Sequence, residues 1–332
     1  MGNHRYMVTS IPHIRSKDTI EGIMQDVLTA LAPAAIMAVY FFGFRALCIM
    51  VLSVGACIIF EFLFEKITRR TVTITDCSAA VTGVLLAFNL PASSPFWMPV
   101  VGAFVAIVIV KQLFGGLGQN FVNPALAARA FLMAAYTPLM AGSWTQPVRN
   151  PFSVDLISSA TPLTLLKEDP SFAVNGSDVL NAFLGNISGC IGETSAIAIL
   201  LGAAYLFYKK VITWHIPVSY IVTTFLLSTF LGRRGLFTGV GYYEVLTGGL
   251  LLGAFFMATD YTTSPVNNLG KLIMGMGCGV LTVVIRNYGG YPEGVSYAIL
   301  VMNLFVPLLD KYCVPRVFGV FKKKNNEVAR TL

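Results

Sequence analysis

The sequence predicts an all-α polytopic membrane protein: about ten transmembrane helices in two inverted five-helix repeats, with interrupted helices. Three observations point there. First, 55% of the 332 residues are apolar and only 12% are charged, at a mean hydropathy of +0.72; soluble domains carry about 25% charged residues. Second, apolar segments recur along the chain, and a transmembrane helix needs ~20 mostly apolar residues. Third, landmarks of the first half return in the same order in the second.

The stretch "MGNHRYMVTSIPHIRSKDTIEGIMQD" has no apolar run before residue 27, so residues 1–25 read as a basic cytoplasmic arm and not as a cleaved signal peptide. Apolar segments at 26–44, 46–64, 76–91, 96–113 and 124–140 make the first repeat, residues 26–140. Residues 141–193 form the one long polar connection. The second repeat, 194–311, holds the segments 194–208, 214–231, 244–259, 270–286 and 295–311, and a basic tail, 312–332, follows. Lysine and arginine set the orientation. With both termini in the cytoplasm, 16 of the 23 basic residues lie inside, Lys111 among them. Six lie outside (Arg45, Arg149, Lys167, Arg233, Arg234, Arg286), and Arg129 falls within a segment. Loop 141–193 is therefore expected outside, and the net charge of +7 reflects topology without a nucleic-acid partner. Asn175 and Asn186 begin glycan sequons, a pattern that recurs by chance.

Composition excludes some chemistry. The six cysteines are scattered singly with no C-x-x-C, which argues against zinc or an iron–sulfur cluster held by this chain alone. Two of the three histidines lie in the N-terminal arm, so a histidine metal site is not expected.

The internal repeat is weak but ordered. Thr82-Gly83 pairs with Thr247-Gly248, Pro95 with Pro265, and Gly115-Gly116 with Gly289-Gly290, at offsets of 165, 170 and 174. Five segments per half, an odd number, require the halves to insert in opposite directions. Ligand sites of inverted repeats lie where the halves meet, at interrupted helices. Asn123-Pro124 supplies an N-cap followed by proline in the first turn, where the missing N–H costs nothing; Ser264-Pro265 reads the same way. No strand precedes "GGLGQN" and its third glycine is misplaced, so it is no dinucleotide fingerprint. It reads as a helix break around a cavity, tolerated at membrane depth only where backbone is buried or lines a cavity.

Carboxylates inside a membrane suggest an ion or proton path, or else sit at the interface within reach of water. Asp76 suits the interface, while Glu61 and Asp260 are ion-path candidates. Arg129, inside the fifth segment, needs an anion: one of these carboxylates or a bound phosphate.

The segments "GGLGQNFVNPALAARAF", "MATD" after a helix, and "DLISSATPL" in the external loop together resemble a family of membrane flavoproteins. Its two members are the D subunit of the Rnf ferredoxin:NAD oxidoreductase complex and the B subunit of the sodium-pumping NADH:quinone oxidoreductase. The resemblance spans nearly the whole chain. It implies FMN joined through its phosphate to a threonine by a flavin transferase, in a pattern like D-x-x-S-G-A-T. Here that pattern runs from Asp155 to Thr161, with Ser159 where glycine is common and Leu156 where a small residue is usual. Small neighbours Ser158, Ser159 and Ala160 leave room for a transferase, and Pro162 stiffens the exit. Arg129, Asn120 and Asn123 are the further cofactor-binding candidates. The family also implies a non-covalent riboflavin between the halves, which no motif here marks. The short arm before the first segment favours the Rnf-type subunit, because the quinone-reducing homologue carries a longer N-terminal extension. The implied role is electron transfer within a bacterial or archaeal inner-membrane complex that couples redox to Na+ or H+ transport. Ferredoxin and NAD sites would belong to partner subunits, and no catalytic residue is assigned to this chain. Two rivals are the quinone-reducing homologue and a small-solute channel or transporter of inverted-repeat type; the flavin loop speaks against the latter.

Overall fold

A computed structural model describes residues 19–142, 144–147, 159–168, 173–232, 235–237 and 239–314. Ser158, with Asp155 to Ile157, Arg149, Arg233, Arg234, most of the N-terminal arm and nearly all of the basic tail, lies outside the described residues. Each apolar segment read from the sequence falls on helix. Helix α1 (Ile20–Ile67) covers the first two, α2 (Ser78–Phe88) the third, α3 (Trp97–Phe104), prolonged as a π-helix over Val105–Gln112, the fourth, and α4 (Pro124–Ala135) with α5 (Thr137–Ala141) the fifth. The connection carries α6 (Pro162–Glu168) and α7 (Gly176–Leu184). Then come α8 (Ala196–Tyr208), α9 (His215–Phe230), a two-residue antiparallel hairpin β1 (Leu231–Gly232) and β2 (Gly235–Leu236), and α10 (Gly241–Leu246). Helix α11 (Leu250–Leu252) continues as a π-helix over Gly253–Met257, and α12 (Asn268–Tyr288) and α13 (Val295–Tyr312) complete the chain.

Helix α1 has 48 residues, about 72 Å of helix at 1.5 Å per residue, more than twice the ~30 Å bilayer core. It is two helices meeting at Gly43, whose backbone (φ 70°, ψ −162°) suits a residue without Cβ. The chain doubles back there. Ile23 and Met24 line the same cavity as Lys111, which is bonded to Glu61 near the other end of α1. This shared end, where α13 also stops, is the near end; the connection 141–193 lies at the far end. Arg45, just past the bend, donates to the carbonyls of Ala92 (2.9 Å), Ser93 (3.0 Å) and Ser94 (3.1 Å), closing the break after α2.

Small residues set the close approaches, as helix packing in lipid favours. Ser53 donates to the Gly83 carbonyl at 2.8 Å, where α1 meets α2. Across the halves, a Cβ on Gly202 of α8 would fall 2.0 Å from the Ala30 carbonyl oxygen of α1. Large apolar side chains stay exposed on the outer faces, among them Ile36, Val51, Ile59, Leu201, Val222 and Leu304. Exposed Trp97, Tyr208, Trp214, Tyr288 and Tyr312 lie at helix ends, where aromatic rings sit at membrane interfaces. Together these make a multi-pass membrane protein.

The helix breaks follow the sequence in one half and depart from it in the other. Asn123 caps α4, accepting from Ala125 N (3.1 Å) and Leu126 N (3.3 Å), with Pro124 in the first turn. Ser264-Pro265 does not start a helix, because α12 begins three residues later behind Asn267. Thr262 and Thr263 donate to Asp260 Oδ2 (3.0 and 3.3 Å) and Val266 N donates to Asp310 (3.0 Å), so the intervening backbone is held as a turn.

Candidate functional site

Three groups of functional side chains form, two of which the sequence foresaw in part. At the far end, Ser159, Ala160, Thr161 and Pro162 come together at the start of α6. Thr161 caps that helix: its Oγ1 accepts from Thr164 N (3.2 Å) and lies 2.8 Å from Thr164 Oγ1. Ser159 is anchored through its N–H to the Trp144 carbonyl (2.9 Å) and through its hydroxyl to Ser188 (2.8 Å), which also donates to Ala160 O (3.1 Å). Beside this segment opens a depression of about 610 Å³, open to solvent, lined by Ser159, Ala160, Pro162, Asn181, Asn186, Ser188 and Tyr243. Ala160 is exposed, whereas the Thr161 side chain is buried in its cap. The expected freedom of approach therefore exists at Ala160, and reaching the Thr161 hydroxyl requires the first turn of α6 to loosen.

At the near end, a cavity of about 90 Å³, partly open, lies between the halves. Its walls are apolar (Val81, Leu85, Phe255, Phe256, Ile212) with Thr82, Lys111, Asn120, Asn123, Thr259 and Asp260 facing in. The breaks build it. Asn123 Nδ2 reaches across to the Met257 carbonyl (3.2 Å), tying the interruption of one half to that of the other. Behind the wall, Glu61 accepts from Lys111 Nζ (2.7 Å) and Gln112 Nε2 (2.8 Å), the last residues of the π-helical turn, and Lys111 also donates to Ser78 Oγ (2.6 Å). Glu61 is thus a paired, buried carboxylate. Asp76 is half-buried just before α2 and accepts from Ser78 N at 2.8 Å.

Arg129 belongs to neither place. The sequence offered Glu61, Asp76, Asp260 or a phosphate as its anion, but it pairs with Glu293, lies 3.9 Å from Glu193, and donates to Asn89 Oδ1 at 2.6 Å. Glu193 lies just before α8 and Glu293 between α12 and α13, and the fold brings them to one point. Asn120 and Asn123 line the near-end cavity and so stand apart from Thr161. Sequence reading missed Lys111 and Arg286 by counting them as loop charges; both are buried, Arg286 completely. Their places inside the segments 96–113 and 270–286 were the available signal, since intramembrane cations are costly and rarely idle.

A helical membrane chain with interrupted helices and a capped threonine in its one long connection is the class that these features define. The model of the NQR2, RnfD, RnfE family matches residues 7–319, and the chain belongs to that family. It is 46% identical to the D subunit of the Na(+)-translocating ferredoxin:NAD(+) oxidoreductase complex of Acetobacterium woodii, over 97% of this chain and 98% of the relative. It is 43% identical to the D subunit of the proton-translocating ferredoxin:NAD(+) oxidoreductase complex of Clostridium ljungdahlii, over 95% and 96%. The D subunit of the ion-translocating oxidoreductase complex of Stutzerimonas stutzeri is 36% identical, over 91% and 93%.

Proposed function

We propose that this chain is the D-type subunit of an ion-translocating ferredoxin:NAD oxidoreductase complex, and that it carries electrons on FMN esterified to Thr161. The observation that carries the reading is the threonine itself. In a chain matching such subunits over nearly its full length, Thr161 stands beside a depression with polar and aromatic walls. The residue type fits chemically, while its buried hydroxyl has to be uncovered for attachment. As an ester oxygen, Thr161 Oγ1 loses its proton but keeps a lone pair for Thr164 N, so the α6 cap survives modification. Attachment needs a phosphoanhydride donor: the threonine oxygen bonds to the flavin phosphate, the anhydride bond breaks, and the hydroxyl proton leaves to a base of the transferase. The bound flavin supplies the redox chemistry, while Thr161 tethers it and Ser159, Ala160, Ser188 and Tyr243 wall its pocket.

The near-end cavity has the lining for a second, non-covalent flavin, although at about 90 Å³ its walls would have to part to admit one. Phe255, Phe256 and Leu85 offer apolar faces, and Asn120, Asn123 and Thr82 offer hydrogen bonds, the composition expected of a cofactor pocket. Glu61 with Lys111, and Asp260 on the cavity wall, are the groups for ion movement. Relatives of nearly equal identity are named for sodium and for protons, so either ion fits this scaffold. Both termini lie in the cytoplasm and the Thr161 loop outside, in the inner membrane, by the distribution of basic residues.

The test is in-gel ultraviolet fluorescence of the denatured subunit, co-expressed with a flavin transferase. Wild type should fluoresce and Thr161→Ala should be dark. A dark wild type, beside a control protein that the same transferase labels, refutes the flavin reading.

A further inference from the structure

Five charged side chains meet between the halves beneath the Thr161 segment. Arg129 of α4 pairs with Glu293 and stands 3.9 Å from Glu193. Arg286 of α12 stands 3.8 Å from Glu244 of α10 and donates to the Glu244 carbonyl at 2.7 Å. None of the five is more than 8% exposed. Within this cluster, the one Arg129 guanidinium faces two carboxylates, Glu193 and Glu293, and burying a second carboxylate charge against a single cation is costly.

That second carboxylate is Glu193. Glu244 accepts from Ser228 Oγ (2.9 Å) and faces Arg286, and Glu293 holds Arg129. Glu193 Oε1 accepts from Cys190 N (3.0 Å), whereas its buried Oε2 receives no hydrogen bond among the described residues. A Glu293 carboxylate oxygen lies within 4.8 Å of the Glu193 carboxylate. Two ionised carboxylates have no donor to place between them; a carboxylic acid has one. We propose that Glu193 and Glu293 share a single proton, so that the Arg129 cluster is a buried proton-binding site.

Burial, and then the neighbouring Glu293 carboxylate, push the Glu193 carboxyl above the ordinary range. The other groups facing the pair are the Cys190 thiol in its own loop, Arg129 from α4, Tyr297 from α13, and the Arg286–Glu244 pair from α12 and α10. Lys167 of α6 reaches the same loop, but it is spent on the carbonyls of Gly289 and Tyr291 and is half-buried. A metal ion suits the place poorly. Cys190, Glu193 and Glu293 could offer three ligand atoms, yet the Arg129 guanidinium already stands 3.7 Å from Cys190 Sγ and bonds to Glu293.

The site adjoins the proposed flavin. Leu163, two residues past Thr161, packs on Gly248, where a Cβ would lie 2.7 Å from Leu163 Cδ1 and 3.8 Å from Glu293 Cγ. Negative charge arriving in the Thr161 pocket would favour the protonated state. That link rests on the flavin reading; the proton does not.

Infrared difference spectroscopy on the full-length chain in its complex, in lipid nanodiscs, tests the proposal. Wild type should show a deuterium-sensitive carboxylic-acid carbonyl band near neutral pH. Glu193→Gln and Glu293→Gln should each abolish it, because either change leaves one carboxylate matched by Arg129. Glu61→Gln and Thr161→Ala should keep it, and its presence in Thr161→Ala separates the proton site from the fate of the flavin. A wild type with no such band, a band surviving in both glutamine variants, or a band erased by sodium alone overturns the proposal. Should a glutamine variant fail to fold, Glu193→Asp decides: it keeps an acid but should move the band, and an unmoved band overturns the proposal.

Discussion

Removing the charge of Lys111 should cost about 3 kcal/mol of stability, and removing Glu61 with it should recover most of that loss. The two atoms lie 2.7 Å apart, and neither side chain is more than 2% exposed. At an effective dielectric of ~20 their attraction is about 6 kcal/mol, and desolvation of the two ions offsets much of it. Lys111→Met therefore loses little net attraction but strands a buried carboxylate, which typically costs about 3–5 kcal/mol. Gln112 still donates to Glu61 at 2.8 Å, which places the cost at the lower end. Glu61→Gln strands the lysine, though Ser78 remains its partner at 2.6 Å. The double variant buries neither charge. A double-mutant cycle on denaturation in mixed micelles, followed by tryptophan fluorescence, should give a coupling of at least ~2 kcal/mol. Additivity within ~0.5 kcal/mol would refute the reasoning, because the two groups would then not constitute a pair.

Three further outcomes are expected. Gly202→Ala should destabilise by about 1–3 kcal/mol through overpacking, since its Cβ falls on the Ala30 carbonyl, whereas Gly55→Ala, with open space around it, should be neutral or gain up to ~1 kcal/mol; thermal midpoints of the two variants compare them directly. Arg129→Lys should destabilise the chain despite keeping the charge, because an ammonium cannot span Asn89, Glu193 and Glu293 as the guanidinium fork does; rescue to wild-type stability would contradict that geometry. Thr161→Ala also removes a helix cap worth about 0.5–2 kcal/mol, so faster proteolysis confined to the α6 segment should accompany loss of fluorescence, and Thr161→Ser should restore the protection.

Much of the architecture was legible along the chain, because a bilayer accepts few solutions. Hydrocarbon satisfies no backbone polar group, so long apolar runs have to be helices, and each of the ten segments is helical here. The cap at Asn123-Pro124 was equally local: it uses only the chemistry of adjacent residues. Ser264-Pro265 shows where local reasoning stops. Its backbone is held by Asp260 and by Asp310, the latter more than forty residues away, and no local rule anticipates that partner.

Charge was the hardest property to read. Counting Lys111 and Arg286 among the loops was reasonable for side chains near segment ends, where lysine and arginine ordinarily reach water. Only the packed structure turns both inward, onto Glu61 and Glu244. Arg129 was recognised as needing an anion, but its partners, Glu193 and Glu293, are separated from it by 64 and 164 positions. By itself, then, the sequence determined that the chain lives in a membrane as helices, that one of them restarts at Asn123-Pro124, and which threonine resembles a flavin site. Those are matters of composition and neighbouring residues. Which charges pair, which cavity the asparagines face, and that Glu193 and Glu293 meet at Arg129 were decided by the tertiary structure alone, because each depends on distances that exist only once the two halves are packed together.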